Sequence, residues 1–309
     1  MEKRLCFYLI VTMGAFIIIV TSCKKDNVNS IPEVSTIEVA IITPVSASCS
    51  GTVTFKGSSE ILEKGMCWSK IQLPLISDNK TTEIILLNSS GFTSNLTGLL
   101  ANITYFVRAY ATNKAGTGYG NELSFTTPED HSGEKGTVTD IEKNVYQTIG
   151  IGSQIWTTEN MRTTILNDGT DIPIAKCYRI WNFLSAPGYC WYDNDEFNKN
   201  TYGALYNWYT VNTMKLCPSG WHVPGDDEWT ILDTYLGGRD IENVLTFLPG
   251  GYRGDSATFL NNGEESVFWT STRSSSDKAI FRVFTINGPD ITRGAYYIEW
   301  GASVRCVQD

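Results

Sequence analysis

Histidine is nearly missing from this chain: there are two in 309 residues, His131 and His222. His131 lies in a polar stretch, and His222 stands alone in the apolar run Trp221-His222-Val223, where a hydrogen-bonded structural histidine is a simpler reading than a zinc ligand. No Gly-x-Ser-x-Gly elbow, His-Glu-x-x-His pair, phosphate-cradling glycine loop or Cys-x-x-Cys occurs, so the familiar signatures of hydrolases, zinc peptidases, nucleotide binders and dithiol redox proteins are absent. The reading is of a non-enzyme without a resident cofactor. Basic residues are in deficit, 24 against 33 acids. A net charge of −9 repels phosphate backbones, so nucleic acid is not an expected partner. Internal repeats, low-complexity tracts and coiled-coil heptads are also lacking.

What is present begins at the N-terminus. Lys3 and Arg4 precede an uncharged stretch from Leu5 to Val20, which falls short of the ~20 residues that span a bilayer comfortably. Val20-Thr21-Ser22-Cys23 then reads as a lipobox: small residues fit a signal-peptidase groove, and the Cys23 thiol accepts the lipid. Residues 1–22 are therefore expected to be a lipoprotein signal peptide and 23–32 a flexible polar tether. Removing 1–22 takes away two bases, Lys3 and Arg4, and one acid, Glu2, so the net charge moves from −9 to −10. Lys24 follows the cysteine, and an acid there would have argued for inner-membrane retention. The expected location is the outer membrane, anchored by lipid on Cys23 and facing the exterior, with the periplasmic face as the alternative.

Residues 33–128 alternate in short apolar runs separated by Gly, Ser, Asn and Asp, with no helical period. Ile37, Val39 and Ile41 alternate, as do Cys49, Gly51, Val53 and Phe55, then Ile84–Leu87, and then Tyr105, Val107, Ala109 and Ala111. This pattern predicts an all-β sandwich. If Trp68 points inward, the same alternation turns Cys67 outward, away from Cys49. The run Leu99-x-x-Asn102-x-Thr104-Tyr105-x-Val107-x-Ala109-Tyr110-Ala111-x-Asn113, followed by Gly116 and Gly120-Asn121-Glu122, resembles fibronectin type III repeats of bacterial surface proteins. Tyr105 fits their tyrosine corner, and the resemblance implies a spacer. Residues 129–136 are polar without apolar period and read as a linker.

From 137 to 309 the pattern is mixed. Ala204–Val211 is aromatic and helix-compatible; Leu216-Cys217-Pro218 and a Ser219-Gly220 turn follow. Then comes a helix start at Asp226 or Asp227, with apolar Trp229, Ile231, Leu232 and Leu236. Other marks are Asp140, Asn144, Tyr146, Ile151-Gly152-x-Gln154-x-Trp156, Glu159-Asn160, Asp168-Gly169-Thr170 and Tyr189-Cys190-Trp191-Tyr192. Leu248-Pro249-Gly250-Gly251-Tyr252-Arg253, Trp269-x-Ser271-Thr272 and Ser303-Val304-Arg305-Cys306-Val307 complete them. In this order they resemble the Fibrobacter succinogenes major paralogous domain, an extracytoplasmic bacterial module. The resemblance implies an α+β, C-type-lectin-like fold. It also implies a disulfide between Cys217, after the first helix region, and Cys306, in the last strand. Cys177 and Cys190 are then the candidates for a second bridge, with Cys190 as a buried thiol the alternative. The formylglycine-generating enzymes share this fold, but their paired active-site cysteines cannot be placed here.

Eight of the nine tryptophans lie in this second module. Trp156, Trp208, Trp221, Trp229 and Trp300 are assigned to its core. The Pro/Gly-broken segment Cys177–Asp195 is the candidate ligand loop: Trp181, Tyr189, Trp191 and Tyr192 offer rings that stack on sugars, beside the carboxylates of Asp193 and Asp195. Asp193 and Asp195 are also weak calcium candidates, because the run has hard oxygens but neither the glycine nor the distal glutamate of an EF-hand loop.

The leading expectation is a cell-envelope lipoprotein whose sandwich spacer presents a lectin-like binding or adhesion domain to a glycan or surface protein. The alternatives are an assembly subunit of a fimbrial or surface complex and, more remotely, an enzyme of glycan or sulfatase processing. If the lipobox reading is right, Cys23→Ala releases the chain from membranes or leaves its precursor uncleaved. Fractionation that finds the variant cut and membrane-bound like the parent contradicts it.

Overall fold

The computed structural model describes residues 6–7, 22–23, 29–84, 90–237, 245, 247–285 and 291–309. Of the expected leader, they include only the backbone of an antiparallel pair, Cys6–Phe7 (β1) with Ser22–Cys23 (β2). The Cys23 side chain and residues 85–87 of the expected strand at Ile84–Leu87 lie outside the described residues. Among those described, no helix is long and apolar enough to cross a membrane. Contacts divide the chain into two units. One comprises Met1–Ala40, Ser48–Leu96 and Thr104–Thr126; the other comprises Ile41–Ala47, Thr97–Ile103 and Thr127–Asp309.

The first is the expected β-sandwich. Glu33–Ala40 (β3), Ser46–Phe55 (β4) and Gly91–Thr97 (β7) form one sheet in that order, with β3 and β4 antiparallel. The other sheet runs in the order Leu123–Thr126 (β10), Thr104–Asn113 (β8), Glu63–Ser69 (β5) and Asn79–Lys80 (β6), with Gly116–Tyr119 (β9) also on β8. The two sheets close tightly at Gly51, where a Cβ would come within 2.8 Å of the Ala109 Cβ. Tyr105 is buried and stacks on Phe125 with centroids 5.8 Å apart.

Simple alternation fails at three places. The β3–β4 register shifts between Thr36 and Glu38, so Thr36 turns inward and Ile37 is left 54% exposed. The buried Thr36 hydroxyl accepts the Ala109 N–H at 2.9 Å and donates to the Asn121 carbonyl at 2.5 Å, which offsets its desolvation. Phe55, at the end of its strand, is 49% exposed. Cys67 is fully buried rather than outward, because the loop after β5 folds over it: its thiol donates to Pro74 O at 3.4 Å. Cys49 and Cys67 are both free, and burial pushes their thiols up to about 12 and about 11.

The segment read as a linker belongs to the second unit. The His131 N–H donates to Gly152 O at 2.7 Å and the Gly150 N–H to Glu134 O at 2.8 Å. A Cβ on Gly150 would lie 1.8 Å from His131 O, so only glycine permits this approach. One five-stranded sheet has the order Lys135–Thr139 (β11), Val145–Ile151 (β12), Gln154–Thr157 (β13), Val307–Gln308 (β22) and Trp221–His222 (β16). Tyr189–Cys190 (β14) pairs with Leu205–Tyr206 (β15). The other sheet runs Phe259–Asn262 (β18), Gly250–Arg253 (β17), Glu265–Arg273 (β19), Lys278–Thr285 (β20) and Thr292–Tyr297 (β21).

Short helices punctuate these strands, among them Tyr178–Asn182 (α1), Lys199–Tyr202 (α2), Trp208–Val211 (α3) and Asp226–Leu236 (α4). α4 starts one residue before the expected cap. Gly225 is its N-cap, Glu228 reaches back to the Gly225 N–H at 2.7 Å, and Asp226 and Asp227 sit in the first turn, where acids suit the helix dipole. α4 buries Trp229, Leu232 and Leu236. Trp229 meets Trp156 at 4.6 Å, and both belong to a cluster with Phe247, Phe268 and Phe284. Trp208 and Trp269 lie in the larger cluster. Trp156, Trp208 and Trp229 are therefore core, whereas Trp221 and Trp300 are only half-buried.

Cys217 and Cys306 are disulfide-bonded, closing an 89-residue separation. In the chain-entropy treatment a loop of that length is worth about 4–5 kcal/mol. Beside it Arg305 is buried under the Phe247 and Phe268 rings; its Nε donates to Asn160 Oδ1 at 2.7 Å and its Nη1 to Thr157 O at 3.0 Å. Burial lowers this guanidinium to about 9.

His222 joins the same region to its surroundings, with Nδ1 2.7 Å from Asp309 Oδ1 and Nε2 2.8 Å from Glu228 Oε1. Burial alone would lower its pKa, but the two carboxylates outweigh burial and raise it. A raised histidine stabilises fully below its unfolded pKa of about 6.5, and that stabilisation is lost as pH rises through the folded value. The melting-temperature gap between wild type and His222→Gln should therefore be widest near about pH 6 and shrink by about pH 9. A gap that ignores pH contradicts the charged clamp.

Candidate functional site

Of the five residues of α1, only Trp181 turns inward; Tyr178 and Ile180 are more than half exposed, as is Phe183 just beyond the helix. Trp181 is 2% exposed, wedged between two neighbours. The Arg253 guanidinium covers its ring at 4.5 Å, and Gly301 lies against its edge, where a Cβ would sit 2.8 Å from Trp181 Cζ2. Arg253 is itself 1% exposed. It donates to Ala175 O at 2.7 Å, Lys176 O at 3.1 Å and Ala257 O at 3.2 Å. One side chain thus ties α1 and its approach to the loop after β17. In that loop Ser256 and Ala257 both hold left-handed backbone, φ 55° and 54°. This costs roughly 1–2 kcal/mol per residue and marks a place where packing dictates conformation.

The opposite wall is the end of β21. Trp300 is half-buried, and its ring is backed by Tyr252 at 5.4 Å and Tyr296 at 4.0 Å. Tyr296 stacks in turn on Phe281 at 3.6 Å, nearly parallel. Between these walls lies an open pocket of about 320 Å³, lined by Trp181, Asn182, Phe183, Gly254, Ser256, Tyr297, Glu299 and Trp300. Its chemistry is aromatic, with an amide, a hydroxyl and one carboxylate. The Trp181 indole N–H is buried and has no hydrogen-bond partner among the described residues. That N–H is itself shielded by the surrounding packing, so it is not presented to the pocket. A second, smaller cleft of about 120 Å³ contains Glu159, Arg162 and Lys199. There Glu159 is already taken by Arg162 at 2.8 Å and by the Gln147 N–H at 3.0 Å.

The structure splits the expected ligand loop. Trp181 reaches the pocket, but Tyr189, Trp191 and Tyr192 are buried. The cause is β14, which pairs with β15 and carries the following rings into the interior: Tyr189 packs edge-on against Trp191 at 5.1 Å, and Tyr192 meets Phe259 at 5.1 Å. Asp193 and Asp195 are exposed on two 3-10 turns, away from the pocket lining. Asp195 accepts the Phe197 N–H at 3.0 Å and so shapes its turn. Among the described residues no three acidic, histidine or cysteine side chains gather as a metal site.

Cys177 and Cys190 form no bridge. Cys190 is enclosed by Ala175, Trp181 and Leu205, and burial pushes its thiol up to about 11. Cys177 is exposed at the start of α1, where the Arg179 and Ile180 N–H groups lower its pKa.

The sequence reading passed over Tyr297 and Glu299 and took Trp300 as core. The dense run Tyr296-Tyr297-Ile298-Glu299-Trp300 is a signal that could have found them. The same reading expected no Arg-Gly-Asp tripeptide, the adhesion-type motif, yet Arg253-Gly254-Asp255 is one. Arg253 is buried and committed to backbone carbonyls, so its guanidinium is not presented to a receptor.

Residues 149–244 match the family profile of the Fibrobacter succinogenes major domain. No curated protein matches the chain. Among solved structures, the sensor domain of the anti-sigma factor RsgI4 of Pseudobacteroides cellulosolvens is similar at 17% identity, covering 32% of this chain and 96% of that one, with a TM-score of 0.25. The sixth fibronectin type III domain of human fibronectin type III domain containing protein 3 is similar at 16% identity over 35% and 93%, with a TM-score of 0.25.

Proposed function

We propose that this chain is a cell-envelope lipoprotein: Cys23 carries the lipid, the sandwich serves as a fibronectin type III-like spacer, and the second unit is a C-type-lectin-like binding module. The outer membrane, with the chain facing outward, is the location this reading assigns. The observation that carries the binding role is the pocket between Trp181 and Trp300. Its volume of about 320 Å³ falls in the range of ligand sites, roughly 300–1,000 Å³. Its aromatic wall is braced by a stack of rings behind it, so little ordering is needed when a ligand arrives. The family match over residues 149–244 and the lipobox support the extracytoplasmic setting. Among the described lining residues Glu299 is the one acid, and the aromatic lining supports a reading of binding.

The test is a screen of the soluble chain against glycans and envelope proteins, with hits followed by titration of two variants. Phe183→Ala removes a ring that is 85% exposed, and Glu299→Gln removes the pocket charge. Each should weaken the hit about tenfold while shifting the melting temperature little. A hit that binds both variants as tightly as wild type moves the ligand site elsewhere and removes the argument.

A further inference from the structure

We infer that the pocket takes a neutral sugar ring, laid by its CH face on Trp300 with Tyr297 at its side, and binds it without a divalent cation. This rests on the reading of the pocket as the ligand site. Four observations choose the ligand.

The first is charge. Among the described lining residues Glu299 is the only carboxylate and none is basic, while Lys278 lies over the Tyr297 ring at 4.7 Å, so a uronic, sialic or sulfated sugar meets the Glu299 charge as well as any counter-ion. The chain as a whole carries −9, which adds repulsion.

The second is the state of the rings. An aromatic pocket with one carboxylate would ordinarily suit an ammonium or guanidinium ligand by cation–π attraction. Here two of the rings already carry an internal cation: Arg253 covers Trp181 at 4.5 Å and Lys278 lies over Tyr297 at 4.7 Å. A cationic ligand would meet those charges, whereas an uncharged CH face stacks on the half-exposed rings without that penalty.

The third is the pair of polar groups that line the pocket. The Asn182 amide and the Glu299 carboxylate both line it and are only partly buried. A sugar hydroxyl is donor and acceptor at once: it can accept from the amide and donate to the carboxylate. An apolar protein side chain would leave both without a partner from the ligand.

The fourth is size and metal. About 320 Å³ holds about one or two sugar rings and no helix or strand. Asp193 and Asp195, the candidates for calcium, do not line it, so removing calcium should change nothing.

The experiment uses the soluble chain on an array of neutral, acidic and amino sugars, run with calcium and again with EDTA, followed by calorimetry on the best neutral sugar. Three variants are compared: Asn182→Ala, which deletes the amide; Tyr297→Ala; and Phe183→Ala. Neutral sugars should bind equally in both buffers. Asn182→Ala should weaken them about five- to tenfold with an unchanged far-ultraviolet circular dichroism spectrum, the scale of one lost hydrogen bond. Preference for acidic or amino sugars, loss of binding in EDTA, or full affinity in Asn182→Ala overturns the inference. If no sugar binds but a protein partner does, and Phe183→Ala abolishes that, the sugar is wrong while the pocket remains the site. If nothing that binds responds to any of the three variants, the pocket reading falls with it.

Discussion

Residues Gly301–Gln308 run through the second unit and meet five of its strands in eight steps. Gly301 bridges Arg253, Ala302 bridges Tyr206 and Ser303 bridges Phe268. Val304 O then accepts the Met161 N–H, and Cys306 O accepts the Thr157 N–H. Val307 pairs with both Trp156 and His222. Small strands of two to nine residues cannot hold one another by ladder bonds alone. A single segment that pairs with so many, locked by the Cys217–Cys306 bond, is the constraint on which they depend. The pocket inherits it directly: Trp300 is the residue before the segment, and Gly301 is the surface against which Trp181 rests.

Two buried arginines extend that constraint. Arg305 binds Asn160 and Thr157 O, fixing β13 and the turn after it; Arg253 binds three carbonyls, fixing α1 and the loop at Ser256. A guanidinium suits this work because its planar fork satisfies several acceptors at once while its faces lie against rings. Arg253 does so between Trp181 and Phe259, and Arg305 beside Phe247 and Phe268. In each case a polar group supplies to irregular backbone the hydrogen bonds that a regular sheet would have supplied.

Much of this was legible in the sequence where the signal is local or carried by a family pattern. The sandwich followed from period-two alternation, and the Cys217–Cys306 pair from its position in the family motifs. The fully buried Trp156 and Trp229 lie in two of those motifs. The failures share a cause: each depended on a partner far away in the chain. Tyr189, Trp191 and Tyr192 look like a surface loop until β15 pairs with β14 and draws them in. Ile37 looks inward until a register shift against β4 turns Thr36 in its place. Cys67 looks outward on alternation until the following loop covers it. Trp300 looks like core filler, and only the stack of Tyr252 and Tyr296 behind it, with the pocket it lines, shows that it is part packing and part pocket wall.

The central claim is that the segment Gly301–Gln308 holds both the fold and the pocket, and hydrogen exchange on the soluble chain before and after selective reduction of Cys217–Cys306 tests it most directly. The account predicts that the amides of Thr157, Met161, Tyr206 and Arg253, which donate to or pair with this segment, exchange in one slow class with it. It also predicts that all of them lose protection together on reduction, along with the amides around Trp181. If the segment alone exchanges faster after reduction while Met161, Tyr206 and Arg253 stay protected, it is an appendage to a fold held by other means, and the claim is wrong.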